Sequence, residues 1–169
     1  YEYVPETKDV LSKDVSYAIV DLLKGVTQGG SGTRLRTTDA NKYRKEYDEI
    51  ITGYPYELTN PIAGKTGTTQ NNSDGWFMGM VPNLVTGVWV GGEERAVHFK
   101  SITYGQGASM ALPIWGLYMK KNYADPELGI SKEDFEKPEN MSIEIDCDKF
   151  ASDIKEDKDI EDDLDDLDF

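Results

Sequence analysis

The stretch of this chain best suited to chemistry is Gly64-Lys65-Thr66-Gly67-Thr68-Thr69, which sets one lysine among three hydroxyls and two glycines. Its first three residues, Gly64-Lys65-Thr66, match the last three of the phosphate-binding P-loop motif. That motif needs a glycine five positions before Gly64, where the chain has Thr59, and Pro61 would also disturb a phosphate-cradling loop. The P-loop is therefore excluded, and the Lys-Thr-Gly triplet taken alone is a weak signal.

The elements around the triplet are short β-rich runs separated by turn residues. The first run is 62–69, and the polar turn 70–74 leads to a second run at 76–81. Pro82 and Asn83 then precede a third run at 85–90. Alternating runs of this kind with turn residues between them predict an antiparallel meander.

Two helices are expected beside these strands. Apolar residues at helical spacing predict an amphipathic helix over 13–26, with Ser12 as N-cap and Asp14 favourably placed in the first turn. The glycine cluster 29–32 ends it. A second, largely buried helix is expected near 110–121, beginning late enough for Pro113 to fall in its first turn.

The other segments are less regular. Residues 1–11 predict one strand of a hairpin that begins before Tyr1, and 37–57 predict a long surface excursion with a short helical turn near 39–47. One further strand is expected at 141–145. The acidic residues of 151–169 predict a disordered tail.

Length and charge exclude some classes of function. The 169 residues suit one domain or a large piece of one, and the chain opens on Tyr1 without a signal peptide, as an excised fragment would. Of the net charge of −14, the segment 151–169 contributes −8, from ten acidic and two basic residues. This balance disfavours a nucleic-acid partner, and no stretch is apolar enough to span a membrane. The single cysteine, Cys147, cannot form an internal disulfide.

The context of the triplet resembles the bifunctional (class A) penicillin-binding proteins. The resemblance covers about residues 10–123 in the family's order, and 37–57 look like an insertion relative to commoner members. The segments that carry it are Leu22-Leu23-Lys24-Gly25-Val26, Gly30-Ser31-Gly32-Thr33, residues 64–69, 74–79 and 82–91, and Gly105-Gln106-Gly107-Ala108 leading into 111–115. It implies that 1–123 is the C-terminal part of a transpeptidase domain, followed by an irregular extension at 124–150 and the acidic tail at 151–169.

The resemblance also implies a fold and a site. The expected fold is α/β of the α+β type, an antiparallel sheet of about five strands with flanking helices, as part of a serine β-lactamase/penicillin-binding transpeptidase fold. Lys65 and Thr68 would be catalytic, Lys65 by its charge and Thr68 through a main-chain N–H donated to the oxyanion. Thr66, Gly67, Thr68 and Thr69 would bind substrate. No metal or cofactor is implied.

The nucleophile of such a site is not expected within the chain. In the family the serine and the S-x-N element precede the Lys-Thr-Gly strand, so they should lie before Tyr1. The one S-x-x-K string, Ser152-Asp153-Ile154-Lys155, follows that strand and lies in the acidic tail. The fragment alone is therefore expected to be inactive.

The parent implied by the resemblance is a peptidoglycan D,D-transpeptidase that acts on stem peptides and is inhibited by β-lactams. It would be anchored in the inner membrane with this domain on the extracytoplasmic side. A non-catalytic module that binds cell-wall peptides or proteins is the alternative, and a carboxypeptidase or β-lactamase relative is a third. The expected partners are the rest of the transpeptidase domain and, through apolar surface that its absence would expose, a second copy of the chain.

Isolated aromatic and titratable residues carry weaker hypotheses. Trp76, Phe77, Trp89 and Trp115 are expected in the core rather than as a carbohydrate platform. His98 lies in a charged loop without companion ligands, so no metal site is predicted.

Overall fold

A computed structural model describes residues 8–38, 55–146 and 148–149. Most of the strand predicted at 1–11, the helical turn near 39–47 and the tail at 151–169 lie outside these residues. The chain divides into two compact units, Ile19–Glu136 and a second one formed by Tyr1–Ala18 with Lys137–Phe169, and each is described by itself. No helix in the described ranges is both long and apolar enough to cross a bilayer.

The centre of the larger unit is an antiparallel sheet. Strand β1 spans Ala63–Thr68, β2 spans Asp74–Val81 and β3 spans Leu84–Gly91, in the spatial order β1-β2-β3. The predicted meander is confirmed. Three strands form among the described residues, rather than the expected five or so.

Helices accompany the sheet, as expected for an α+β fragment. α1 spans Lys13–Gln28, α2 is the single turn Ile102–Gly105, and α3 spans Gly107–Ala124. Short 3₁₀ turns occur at Thr33–Arg36, Gln70–Asn72 and Pro126–Leu128.

Helix α3 packs on one face of the sheet because β2 presents small and large residues alternately to it. Phe77 meets Trp115 edge-on, with ring centroids 5.1 Å apart. Gly79 makes room for the same indole, since a Cβ at that position would lie 2.4 Å from Trp115 Cζ2. The indole N–H of Trp115 donates to Thr86 Oγ1 at 2.7 Å, which satisfies the polar end of an almost fully buried side chain.

The start of α3 differs from the prediction. The helix begins at Gly107, so Pro113 lies inside it rather than in its first turn. A proline here removes the N–H that would bond the carbonyl four residues earlier. The buried Arg34 guanidinium also contacts this part of the helix, where it donates to Ala108 O at 2.9 Å and to Ser109 Oγ at 3.4 Å.

Polar contacts join α1 to other segments of the larger unit. Thr27, which is fully buried, donates its hydroxyl to Ile62 O at 2.6 Å and accepts from Arg36 Nη2 at 3.2 Å. Lys24 Nζ lies 3.1 Å from Asp134 Oδ1. Burial opposes ionisation of Asp134, but the hydrogen bonds from Lys24 and from the main-chain N–H of Phe135, together with the charge of Lys24, outweigh it and lower the pKa of that carboxyl.

In the second unit, the predicted strand at 141–145 is wrong. Residues 141–146 form no strand, because their own side chains bind the main chain: Glu144 Oε1 accepts from the N–H groups of Ile145 and Asp146 at 3.0 and 2.9 Å. Ser12 stands at the start of α1, and its carbonyl accepts the first helical bond, from Ser16 N. Hydrogen bonds from Ser12 and Ser142 hold the pKa of Asp14 far below its usual range.

The core around Trp115 allows a paired test of stability. We expect Trp115→Ala to lower the free energy of unfolding by about 3–5 kcal/mol, because it removes a buried indole and leaves a cavity. Trp89, whose side chain is 48% exposed, is the matched control, and its replacement by Ala should cost about 0.5 kcal/mol. Urea unfolding followed by circular dichroism measures both. Equal losses would contradict the burial of Trp115 between α3 and the sheet.

Candidate functional site

β1, which carries the Lys-Thr-Gly triplet, is an edge strand of the sheet in the described part of the chain. Only one of its sides pairs with β2. Main-chain N–H and C=O groups on the other side are available to an extended peptide, the usual means by which an edge strand binds one.

Thr66 and Thr68 project from the face of β1 that α3 covers. Thr66 lies opposite Phe77 in the register, and its Oγ1 is 2.7 Å from Ser31 Oγ. The main-chain N–H of Gly107, the first residue of α3, donates to Thr68 Oγ1 at 3.0 Å. Because a hydroxyl accepts and donates at once, the Thr68 proton remains available to a ligand. The Thr66 hydroxyl is thus held by a residue before the sheet, and the Thr68 hydroxyl by the first residue of the helix that follows it.

Lys65 and Gly67 lie on the opposite face. Lys65 is opposite Met78, and its exposed ammonium donates to the carbonyl oxygen of Thr66 at 2.8 Å. Gly67 is opposite Trp76, and a Cβ at Gly67 would lie 3.2 Å from Trp76 Cβ. The lysine and the threonine hydroxyls therefore lie on opposite faces of the sheet, next to the unpaired edge of β1.

Thr69 stands apart from the other threonines because it belongs to the turn between β1 and β2. Its Oγ1 lies 3.0 Å from Ser73 Oγ and accepts from Asp74 N at 3.1 Å. These contacts close the turn, and they leave less hydrogen-bonding capacity for a substrate than at Thr68.

The charge at the strand comes from Lys65. Among the residues that the structure describes, no carboxylate lies within ion-pair distance of its ammonium. Arg34 and Arg36, by contrast, donate to main-chain carbonyl oxygens, those of Ala108 and Thr59. In a chain of net charge −14, Lys65 is a local positive charge suited to attract an anionic group.

Two contacts at the site escaped the sequence prediction. The glycine cluster 29–32 predicts only a helix end, whereas in the structure its single side chain, Ser31, lies within hydrogen-bond distance of Thr66. The sequence identifies Gly107 only as part of a segment that resembles the family, whereas in the structure its main-chain N–H donates to the Thr68 hydroxyl. The available signal was the serine between glycines, a side chain displayed by a tight turn.

The aromatic residues divide between the two faces. Phe77 and Trp115 are in the core as expected, but Trp76 and Trp89 are 45% and 48% exposed, so the core prediction is wrong for them. Side chains alternate along a strand, and α3 covers only one face of this sheet. His98 is exposed, and its Nδ1 lies 3.1 Å from Phe99 O.

A separate cavity of about 340 Å³ lies away from the triplet. Tyr56, Asn60, Lys120, Tyr123 and Lys132 are among the residues that line it, and no residue of β1 does. The cavity and the strand are therefore distinct features.

Comparison with known proteins gives a consistent set of relatives, although no family model matches the chain. Penicillin-binding protein 1A of Aquifex aeolicus is 35% identical over 148 residues, which is 85% of this chain and 16% of that protein. Penicillin-binding proteins 1A of Neisseria gonorrhoeae and Neisseria meningitidis serogroup A are 42% and 45% identical over 59 and 60 residues. Each of these two matches covers 35% of this chain and 7% of the relative. The chain thus spans less than a fifth of the length of these relatives.

The close approach of α3 to β1 can be tested with two glycines. We expect Gly107→Ala to destabilise the fold by about 1–3 kcal/mol, because its Cβ would lie 2.4 Å from Gly67 O and 2.5 Å from Trp76 O. Gly25→Ala is the control, since a Cβ there meets nothing within 4 Å. It should stabilise α1 by about 0.5–1 kcal/mol. Thermal and urea unfolding measure both, and a neutral Gly107→Ala would argue against the contact.

Proposed function

The chain is a fragment homologous to the transpeptidase region of penicillin-binding protein 1A, and we propose that it supplies the Lys-Thr-Gly strand of a peptidoglycan D,D-transpeptidase site. The parent protein would cross-link stem peptides through a serine acyl-enzyme and would be acylated by β-lactams. The observation that carries the proposal is the open edge of β1, flanked by Lys65 on one side and by the Thr66 and Thr68 hydroxyls on the other.

Each group at this edge suits a step of acyl transfer. A stem peptide would lie along β1 and pair with its free main-chain groups. Lys65 would contribute positive charge that favours the ionised forms of the nucleophile network. Thr66 and Thr68 would bind the terminal carboxylate, and the Thr68 N–H would donate to the developing oxyanion. Gly67 leaves room for the substrate, and Thr69 would act mainly by shaping the turn beside it.

The nucleophilic serine would come from a part of the parent outside this chain. The parent would be a membrane-anchored protein with this domain on its extracytoplasmic side. We expect no cofactor, because an activated serine and hydrogen-bond donors are sufficient for acyl transfer.

Labelled penicillin tests the role of Lys65 in the parent protein. We expect Lys65→Ala to slow acylation by about 10²–10³-fold, the usual cost of losing a group that stabilises the reacting charges. Lys100→Ala, which removes another exposed lysine, should leave the rate unchanged. A parent that is not acylated at all would favour a non-catalytic binding module.

The fragment by itself should not react. We expect mass spectrometry to find no penicillin adduct on the isolated chain, because the nucleophile is absent. A stoichiometric adduct would overturn this part of the proposal.

The sheet face opposite α3 offers a partner surface. We name it the open face; it is defined by four exposed side chains, those of Trp76, Met78, Val85 and Trp89. The rest of the transpeptidase domain would cover it in the parent, and in the isolated chain a second copy would do so.

Light scattering of the isolated chain tests this surface. We expect self-association that Trp76→Ser with Trp89→Ser abolishes, since the two indoles dominate the apolar area. Val97→Ser, at another exposed apolar residue, is the control. A monomeric wild-type chain would contradict the idea.

A further inference from the structure

The turn after α1 holds Ser31 in a fixed position. The N–H groups of Gly29 and Gly30 donate to Gly25 O at 3.0 and 3.2 Å, and Gly32 N donates to Val26 O at 2.9 Å. A Cβ at Gly30 would lie 3.0 Å from Val26 O. The turn is therefore folded tightly onto the last turn of the helix, and Ser31 carries the one side chain among these four residues that can reach outward.

Two hydrogen bonds connect the end of α1 and the turn after it to β1 and the residue before it. The two bonds have the same spacing along both segments. Thr27 bonds Ile62 O at 2.6 Å, and Ser31 bonds Thr66 Oγ1 at 2.7 Å. Both pairs are separated by 35 residues, so the second contact lies four residues further along each segment. The first contact is fully buried and anchors the two segments, which fixes the distance at which the second, exposed contact forms.

Arg34, which follows this turn closely in the chain, connects it to the first turn of α3. It is 8% exposed, belongs to the 3₁₀ turn Thr33–Arg36, and donates to Ala108 O at 2.9 Å. Ala108 follows Gly107, whose N–H holds Thr68. The segment carrying Ser31 and the helix end that binds Thr68 are thus connected through one buried guanidinium, so the hydroxyls at 66 and 68 are held relative to each other.

From this arrangement we propose that Ser31 is a positioning residue that aims the Thr66 hydroxyl at the carboxylate of the substrate; the inference rests on the proposed function. Thr66 has one proton and two acceptor lone pairs. When Ser31 donates to Thr66 Oγ1, the Thr66 proton is left to donate outward to an anion. The reverse direction would consume that proton. An anionic ligand therefore selects the chain Ser31 to Thr66 to carboxylate, in which each hydrogen bond strengthens the next.

The proposal distinguishes Ser31 from a merely structural residue by the chemistry of the ligand. A role through Thr66 matters only for a ligand that presents a carboxylate to it. A β-lactam with a free carboxylate and the methyl ester of the same compound form a matched pair of probes. Loss of local folding would slow acylation by both, whereas loss of the hydroxyl chain would slow acylation by the acid alone.

The experiment measures second-order acylation rates of the parent protein with both probes. We expect Ser31→Ala to slow acylation by the acid about 10-fold, as for a hydrogen bond to a charged group, and to leave the ester within about 2-fold. Ser31→Thr should restore the rate with the acid. Thr38→Ala, which removes another exposed hydroxyl, is the control and should change neither rate. In a Thr66→Val background, Ser31→Ala should have no further effect, because Ser31 acts through Thr66.

The possible results distinguish a failure of the role of Ser31 from a failure of the proposed function. Equal slowing of both probes, no slowing of either, or an undiminished effect of Ser31→Ala in the Thr66→Val background would each overturn the role of Ser31 while leaving the proposed function standing. A wild-type parent that neither probe acylates would instead overturn the proposed function and the inference with it. Unfolding curves of Ser31→Ala that match wild type would support the positioning role, because they show that the fold is intact.

Discussion

The structure depends on how closely the first turn of α3 approaches the sheet. Gly107 lies against the main-chain oxygens of Gly67 and Trp76, at a distance that a Cβ could not share. Gly75 and Gly79 on β2 likewise leave room for Met110 and Trp115 of the helix. A helix over a sheet is normally separated from it by two layers of side chains. Here glycines remove part of that separation, so a main-chain N–H of the helix can reach a side chain of the edge strand.

This close approach determines the character of β1. Its register with β2 gives the two hydroxyls at 66 and 68 to the α3 side and gives Lys65 and Gly67 to the open face. The hydroxyls are consequently constrained by Ser31 and Gly107, whereas the lysine keeps an exposed ammonium. Hydroxyl groups held in place beside an exposed cation form an arrangement suited to hold an anionic group and stabilise charge that develops next to it.

The interior shows how polar groups are satisfied around such a site. Buried Thr27 and half-buried Arg36 bond each other and the carbonyl oxygens of Ile62 and Thr59, so both side chains have hydrogen-bond partners. Burial lowers the pKa of Arg36, but an arginine remains charged at neutral pH and keeps donating. The buried guanidinium of Arg34 is satisfied in a similar way, by the carbonyl oxygen of Ala108 in the first turn of α3. These contacts connect segments that are distant in sequence and fix the position of the edge strand.

The sequence by itself determined the elements and their order. Turn residues between short apolar runs are local signals, and so the meander and both long helices were predictable, as was the Lys-Thr-Gly strand within its family context. Other local signals gave wrong predictions. Pro113 indicated a helix that starts later than Gly107. The residues 141–145 indicated a strand, but there the Glu144 side chain binds nearby main-chain N–H groups instead. Which residues meet Thr66 and Thr68, and which face of the sheet stays open, only the tertiary structure decided. Those contacts join residues 35 and 39 positions apart, and they exist because packing of α1 and α3 brings those ends to β1.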